Sequence, residues 1–460
     1  MRRLSVAALA AAVLVAFAGA GAARSARQER LTASGAGDAT LRFASPVRVA
    51  TSPARLSAVS STWCGTSALT DLRDQVVPGR SIHFVYVYPA DGANRLTEFG
   101  TIMQTDAETI DAWWRGQDAT RTPRLDTFAF PCGPQLDISE LKLPFDGAEL
   151  TPISGRLQKI VGFLAAAGFD PDFKDYVLYY DGPDDGQGIC GQGGGDPNES
   201  AGVAIVYVTG CPSEPTAVVA AHELVHALGA VQPPAPNMCA APNDFHVCDS
   251  DRDLMYPFAD GTPLTQLVLD VGRNDYYGAA GVGFDVRTSR WLRHLDAAPA
   301  HLTIGLTGAG SVASDVPGVA CTASCESDWD AGLPVTLVAT PATGMRFVRW
   351  GGACTGNAEC TLTLSGATSV TALFAPQTYL LTVAVVGRGN VFASISASRC
   401  QKRCRLSVTS YHSVTLRAVA VSGWRFKRWL GACHALRPVC TLPMTSNAAA
   451  TAVFAKKTKK

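Results

Sequence analysis

The sequence predicts a mixed α/β domain followed by two small all-β domains that repeat one another. Three observations support this. Strand-like and helix-like segments alternate over residues 61–297, an internal duplication occupies the last 160 residues, and fourteen cysteines fall in even numbers within each part. A chain of 460 residues with 47% hydrophobic content exceeds what one core usually serves, so several domains are expected.

The N-terminus has the composition of an export signal. Arg2 and Arg3 precede an apolar, alanine-rich run that reaches Ala20. This pattern predicts a signal peptide over residues 1–23; an uncleaved anchor is the alternative, because the run nears the length of a membrane span. No later segment approaches that length, so we expect no transmembrane span in the mature chain. Residues 24–60 lack clear periodicity and are predicted to be a flexible lead-in or a short pro-segment.

The segment from 61 to 297 alternates between strand-like and helical patterns. A Gly/Asp-rich loop is expected between the last two strands. Strands alternating with helices predict a mixed sheet that carries helices on its faces. The strand patterns lie at 82–88, 176–180 and 202–208, and the helical patterns lie at 106–115, 153–167 and 214–228.

One pentad, His222-Glu223-Leu224-Val225-His226, carries the predicted chemistry. On a helix, the i, i+4 spacing places both imidazoles on one face, where each can give a nitrogen to the same zinc ion. Glu223 cannot share that direction and is left to reach a water at the metal. A buried helix with two hydrogen-bonded histidines is the alternative.

The residues after the pentad resemble those of a known superfamily. Gly229 can end the helix with positive φ, and Asp253-Leu254-Met255-Tyr256-Pro257 resembles the Met-turn of the metzincins, nearest to the matrix metalloproteinase form. The intervening run is also similar to exported bacterial reprolysin-like proteins. The resemblance implies a zinc endopeptidase with Met255 as an apolar floor under the imidazoles. Tyr256 is a candidate oxyanion donor by residue type, although metzincins that use tyrosine place it two residues after the methionine.

The third zinc ligand departs from the metzincin pattern. A metzincin would place a histidine where this chain has Gln232. His246 is assigned as the third ligand, because no other histidine lies between the pentad and the Met-turn. Asp253 or Gln232 are the alternatives. A thermolysin-like glutamate ligand is excluded, since after Glu223 the only glutamates lie in the C-terminal repeats.

Cysteine spacing predicts seven disulfides, as suits an exported chain. Thiolate metal sites are the alternative, given two Cys-x3-Cys pairs. The expected bridges join neighbours in sequence, apart from one pair left by elimination: Cys64–Cys132, Cys190–Cys211, Cys239–Cys248, Cys321–Cys325, Cys354–Cys360, Cys400–Cys404 and Cys433–Cys440.

Residues 301–376 and 378–455 form the predicted pair of β repeats. Glycine, cysteine, phenylalanine and tryptophan recur 79 positions apart, as in Trp350 and Trp429, which are expected to be core residues. The units resemble the divergent internalin B-repeat type, which implies a spacer or attachment module.

Charge separates the two repeats. Residues 378–460 carry 14 lysines and arginines and no acidic residue, whereas residues 301–377 carry 2 basic and 5 acidic residues. With the basic tail at 456–460, the second repeat is expected to bind an anionic cell-surface polymer; a solubilising basic face is the alternative. No nucleic-acid motif is present, so sequence-specific nucleic-acid binding is not expected.

Acidic residues cluster before the active-site helix and again after it. Such oxygen clusters suit calcium, although no defined calcium-loop pattern occurs, and solvated acidic loops are the alternative. The residues concerned are Asp181, Asp184, Asp185, Asp196, Glu199, Asp244, Asp249 and Asp251.

Together these features predict a secreted zinc endopeptidase that acts on proteins or peptides. The alternative is a catalytically inactive surface-binding or adhesion protein built on a degenerate metalloprotease domain.

Overall fold

The computed structural model describes residues 39–43, 62–71, 73, 78–169, 173–195, 201–279, 283–410 and 412–458. The predicted signal peptide and the last two lysines of the basic tail lie outside them. In the described residues no helix is both long and apolar enough to cross a membrane.

The N-terminal part contains eleven strands and four helices within the described residues. Two short 3-10 helices, Leu264–Gln266 and Val286–Thr288, follow the last long helix. The strands are β1 (Ala39–Phe43), β2 (Ser81–Tyr88), β3 (Arg121–Pro123), β4 (Thr127–Phe130), β5 (Gly133–Leu136), β6 (Ile138–Lys142), β7 (Lys174–Tyr180), β8 (Ile189–Gly194), β9 (Val203–Tyr207), β10 (Phe258–Ala259) and β11 (Leu292–His294). The helices are α1 (Leu96–Gln117), α2 (Gly147–Leu150), α3 (Arg156–Ala166) and α4 (Thr216–Ala227).

Seven strands form the central mixed sheet in the order β10-β1-β8-β9-β7-β2-β6. Strands β9, β7, β2 and β6 are parallel to one another, whereas β8 is antiparallel to both β9 and β1. Every residue of β2, β7 and β9 is buried, as expected where helices cover both faces of a sheet.

Alternate residues of β2 contribute to two different cores. Phe84 and Tyr86 pack with α1 and α4 on one face, and Val85 and Val87 pack with α3 on the other. This alternation follows from the two-residue period of a strand. The site helix α4 therefore lies directly against one face of the sheet.

Two sequence expectations need correction here. Residues Ala39–Phe43, within the predicted lead-in, form β1, because pairing with β8 and β10 satisfies their backbone hydrogen bonds. Likewise, Ile189–Gly194 forms β8 where a Gly/Asp loop was expected, since tertiary pairing with β9 overrides the low strand propensity of its glycines.

The C-terminal part contains sixteen strands in two successive groups of eight. The first group is β12 (Ala300–Thr307), β13 (Gly310–Ser314), β14 (Ala320–Cys321), β15 (Cys325–Trp329), β16 (Pro334–Pro341), β17 (Met345–Gly352), β18 (Cys360–Thr363) and β19 (Thr368–Pro376). The second group is β20 (Thr378–Val386), β21 (Gly389–Ala393), β22 (Ser396–Cys400), β23 (Arg403–Thr409), β24 (Ser413–Ala420), β25 (Trp424–Gly431), β26 (Val439–Pro443) and β27 (Ala448–Lys456).

Each group folds into two four-stranded sheets with the same topology. The orders β15-β12-β19-β17 and β14-β13-β16-β18 recur as β23-β20-β27-β25 and β22-β21-β24-β26. Trp350 and Trp429 are both buried, as the sequence predicts for core residues. The duplication in sequence is therefore a duplication in structure.

The first repeat packs against the N-terminal part. The Arg124 guanidinium lies 2.9 Å from the Asp330 carboxylate, and the Gly79 N–H donates to the Pro317 carbonyl over 2.9 Å. Because Arg124 is 2% exposed, its ion pair is shielded from solvent and fixes the first repeat beside β3.

All seven predicted disulfides are confirmed, and the described residues contain no free cysteine. Four bridges staple the two repeats, where small cores gain most from covalent closure. One further bridge joins Cys239 and Cys248, nine positions apart, and closes a short loop that includes His246.

Candidate active site

Helix α4 presents His222, Glu223 and His226, all of which are buried. The helix ends as the sequence predicts: Gly229 has a φ of 103° and its N–H donates to the His226 carbonyl over 2.9 Å. This turn brings the Ala230 carbonyl back to the His226 ring, whose Nδ1 lies 2.8 Å away. The helix end thus fixes the orientation of one imidazole.

His246 reaches the same place from a distant loop. The Cys239 N–H donates to the His246 carbonyl over 2.8 Å, and the neighbouring Val247 N–H donates to the Met255 carbonyl over 3.0 Å. Together with the Cys239–Cys248 bridge, these bonds tie His246 to the predicted Met-turn. His246 is buried, as is Met255.

The three imidazoles share one arrangement. Each Nδ1 faces a backbone carbonyl: Leu254 at 2.6 Å for His222, Ala230 at 2.8 Å for His226 and Asp244 at 3.2 Å for His246. A carbonyl can only accept, so this network assigns the proton to Nδ1 and leaves the lone pair on Nε2.

The donor nitrogens of the three rings converge. One nitrogen from each lies within 4.8 Å of the others, and the Nε2 atoms of His226 and His246 are 3.4 Å apart. The Nε2 of His222 is buried without a hydrogen-bond partner in the described structure. Two nitrogens bound tetrahedrally to one zinc ion at about 2.0–2.1 Å lie about 3.3 Å apart, so this donor set fits zinc.

Burial keeps these rings neutral, which is the form that binds a metal. It lowers the pKa of His222 to about 3 and that of His246 to about 4, and it holds the pKa of His226 well below its usual range. Lone pairs that face one another without a proton between them repel, and a cation at their centre relieves that repulsion.

The Glu223 carboxylate lies against β8, where two glycines make room for it. A Cβ on Gly191 would stand 2.6 Å from Glu223 Oε1, and one on Gly193 would stand 2.9 Å from Oε2. The two glycines share one face of the strand, because side chains alternate. Sequence reasoning missed both residues; their Gly-x-Gly spacing was the available signal.

A pocket opens beside His222, between the start of α4 and the Met-turn segment. Four of its lining residues are acidic, and most of the others are apolar. Burial raises the pKa of Glu214 to about 7 and that of Asp253 to about 7. The lining residues are Glu214, Val218, His222, Asp251, Asp253, Leu254, Tyr256, Phe258, Ala259, Asp260, Thr262 and Leu267.

The alternative ligand Asp253 is outside the histidine group. The Asp253 carboxylate accepts hydrogen bonds from the Met255 and Val271 N–H groups, at 2.8 and 2.7 Å, and from the Tyr276 hydroxyl at 2.8 Å. These hydrogen bonds use the Asp253 carboxylate to stabilise the backbone around Met255. Among the described histidines, cysteines, aspartates and glutamates, the converging group consists of His222, His226 and His246.

A second compact polar group, His83, Asp126 and Asp137, lies in the sheet. His83 bonds Asp126 through Nδ1 and Ser139 through Nε2, both at 2.8 Å, and the Lys174 ammonium lies 2.9 Å from Asp126. Lys174 already supplies the cation this group needs, and His83 and Ser139 are fully buried. This cluster is a structural network rather than a second metal centre.

Several of the acidic residues considered for calcium make other contacts. The Asp181 carboxylate pairs with Arg95 and accepts from the Tyr86 hydroxyl at 2.7 Å, and Asp185 accepts from the Ile153 N–H at 2.9 Å. Among the described residues, neither compact ligand group includes any of the proposed calcium residues. Asp196 and Glu199 lie outside the described residues.

Comparison with known families characterises the C-terminal part. Residues 311–378 and 401–458 match the divergent InlB B-repeat domain. These two segments are the two β repeats. No curated protein matches the chain in sequence.

Solved structures resemble the chain only distantly. The Bacillus anthracis TIE protein is 8% identical with a TM-score of 0.23, over 35% of this chain and 34% of its own. Metalloproteinase-II from Bacteroides fragilis is 19% identical with a TM-score of 0.26, over 45% of this chain and 54% of its own. OgpA from Akkermansia muciniphila is 11% identical with a TM-score of 0.24, over 85% of this chain and 100% of its own. The chain thus spans about a third and about half of the first two.

Proposed function

We propose that this chain is a secreted, zinc-dependent endopeptidase. The convergence of three neutral imidazoles, His222, His226 and His246, beside the buried Glu223 carboxylate supports it most strongly. Three protein ligands around a zinc ion leave a fourth position for water, which is the arrangement of catalytic rather than structural zinc.

Zinc bound to these rings would lower the pKa of a water molecule and polarise a substrate carbonyl. Glu223 then serves as the general base that takes a proton from the attacking water. The same carboxyl group passes that proton to the departing amine, which completes hydrolysis of the peptide bond. Burial between α4 and β8 holds the Glu223 carboxylate in place for both transfers.

Met255 and Tyr256 have supporting roles in this proposal. Met255, held by its carbonyl to Val247, closes the floor beneath the imidazoles. Tyr256 lines the pocket beside His222, where its hydroxyl is a candidate donor to the developing oxyanion.

Disulfide content supports secretion. Seven bridges in one chain persist in an oxidising compartment and are rare in a reducing cytosol. Together with the predicted signal peptide, they support a mature chain that acts outside the cell.

The second repeat would hold the enzyme near an anionic surface polymer. Arg403 and Arg405 on β23 are exposed, and so are Arg425, Lys427 and Arg428 on β25, at the opposite edge of the same sheet. Clustered positive charge without acidic neighbours in this repeat attracts polyanions at a distance.

The test is hydrolysis of casein or a quenched fluorescent peptide by the purified chain, with its zinc content measured on the same sample. Wild type should hydrolyse the substrate, and Glu223→Gln should lose activity by about 100-fold or more while retaining zinc. The exposed Glu98→Gln serves as the control and should remain active. A zinc-loaded, correctly oxidised protein without hydrolysis would instead favour the inactive, surface-binding alternative.

A further inference from the structure

Strand β1 fills the slot between β8 and β10. It runs antiparallel to β8, with Ala39 opposite Gly193 and Leu41 opposite Gly191, and parallel to β10, with Arg42 opposite Phe258. Without it, β8 would present a free edge toward the site. An extended peptide can occupy such an edge through backbone hydrogen bonds alone.

This slot borders the strand against which the proposed catalytic base packs. Gly191 and Gly193, which pair with β1, are the residues against which the Glu223 carboxylate packs. On the other side, β10 contributes Phe258 and Ala259 to the pocket beside His222. Strand β1 therefore lies between the strand that contacts the glutamate and the strand that lines the pocket.

The crossing point is at Leu41. Residues before it pair with β8 alone, whereas Arg42 pairs with both β8 and β10 and Phe43 pairs with β10. The register with β8 also shifts between Leu41 and Arg42. Strand β1 therefore pairs with β8 alone up to Leu41 and comes between β8 and β10 from Arg42 onward.

We propose, on the basis of the peptidase function proposed above, that Ala39–Phe43 is an intramolecular substrate, cut at one of the two peptide bonds of Leu41. One water molecule is consumed: its hydroxyl adds to the carbonyl carbon, the C–N bond breaks, and its remaining proton goes to the new amine through Glu223. Cleavage leaves a mature chain that begins at Leu41 or Arg42 and frees part of the β8 edge for other extended peptides.

The direct test is the N-terminus of the exported full-length chain, read by intact mass and N-terminal sequencing. Wild type should begin at Leu41 or Arg42, and Glu223→Gln should keep the residues before Leu41. Leu41→Pro, which removes a backbone donor opposite Gly191, should also block cleavage. Ser34→Pro, outside the paired strand, is the matched control and should be cut as wild type is.

Two further measurements separate this inference from the proposed function. If wild type hydrolyses a quenched peptide but keeps an N-terminus before residue 39, self-cleavage is wrong and the peptidase function stands. The same mature N-terminus in Glu223→Gln would assign the cut to a host protease and would also overturn the inference. The expected cleavage should be first order and independent of protein concentration, because substrate and base belong to one chain.

A binding measurement tests occupancy of the slot without activity. In Glu223→Gln, amide exchange at Gly191 and Gln192 should be slow. Because neighbouring amides of a strand point to opposite sides, deleting residues 24–43 should accelerate exchange at least tenfold at the one of these two amides that faces β1 and leave the one that faces β9 slow. Unchanged exchange after the deletion would show that the segment does not occupy the slot. Amides in β7, which lies inside the sheet, provide the reference.

Discussion

The Nε2 atoms of His226 and His246 face one another at 3.4 Å, although the residues come from a helix and from a disulfide-closed loop. The other nitrogen of each ring, Nδ1, is hydrogen-bonded to a backbone carbonyl that orients the ring: Ala230 for His226 and Asp244 for His246. With both protons placed on Nδ1, neither ring can donate to the other. The pair is arranged for a shared cation, and His222 provides the third donor.

His246→Ala should therefore cost most of the zinc affinity. The loss of one of three ligands removes a metal–nitrogen bond and leaves an open side on the ion, so we expect affinity to fall at least 100-fold, with activity lost in parallel. Isothermal titration calorimetry of the metal-free protein with zinc measures this affinity. His434→Ala, at an exposed histidine of the second repeat, is the control and should bind zinc normally. Normal occupancy in His246→Ala would exclude it as a ligand.

Gly191→Ala should reduce hydrolysis while zinc binding is retained. The added Cβ would stand 2.6 Å from Glu223 Oε1 and 2.7 Å from the Ile205 carbonyl oxygen, so the carboxylate and the β8–β9 pairing must both adjust. We expect kcat to fall at least tenfold, because a displaced base transfers protons poorly. Gly194→Ala, on the same strand with no atom within 4 Å of the added Cβ, is the matched control. Equal activity of both variants would contradict this placement of Glu223.

Zinc affinity should change little between pH 7 and pH 5.5. Burial lowers the pKa of His222 to about 3 and that of His246 to about 4, so protons compete for these rings only near or below pH 4. Three histidines with the ordinary pKa near 6.5 would instead lose affinity by about 1,000-fold at pH 5.5. Competition titration with a zinc chelator between pH 7 and pH 5.5 distinguishes buried histidines from histidines with the ordinary pKa. A steep loss above pH 5.5 would show that the rings are more solvated than described.

The second repeat should bind polyanions through its basic sheet. Replacing Arg403 and Arg405 by glutamate should lower the salt concentration that elutes the full chain from immobilised polyphosphate, because surface attraction is screened by salt. Replacing two exposed arginines of the first repeat, Arg346 and Arg349, by glutamate should leave elution unchanged. Equal effects of the two double variants would assign binding to net charge alone.

Local sequence patterns anticipated the parts of the site that local structure determines. The i, i+4 spacing of His222 and His226 requires only that the segment be a helix, and the positive φ of Gly229 follows from its position at the helix end. His246 could be assigned because few histidines were available and a disulfide was expected to close its loop. These features depend on spacing and on bonds formed nearby in the chain.

Features that depend on distant pairing were not visible. The glycines of β8 are typical of a loop in the sequence. Only the folded structure shows that their strand pairs with β9 and contacts Glu223. Strand β1 has no periodicity of its own, since its regularity comes from two neighbouring strands. Helix α1 begins at Leu96, ten residues before the helical pattern at 106–115. Its extent likewise depends on packing against the sheet.

The most direct test is the metal content of the folded, fully oxidised chain, measured by inductively coupled plasma mass spectrometry after dialysis against trace zinc. We expect one tightly held zinc ion per chain, lost when His222 and His226 are both replaced by alanine. A protein with all seven disulfides formed that retains no transition metal after reconstitution would contradict the metal centre and the peptidase function with it.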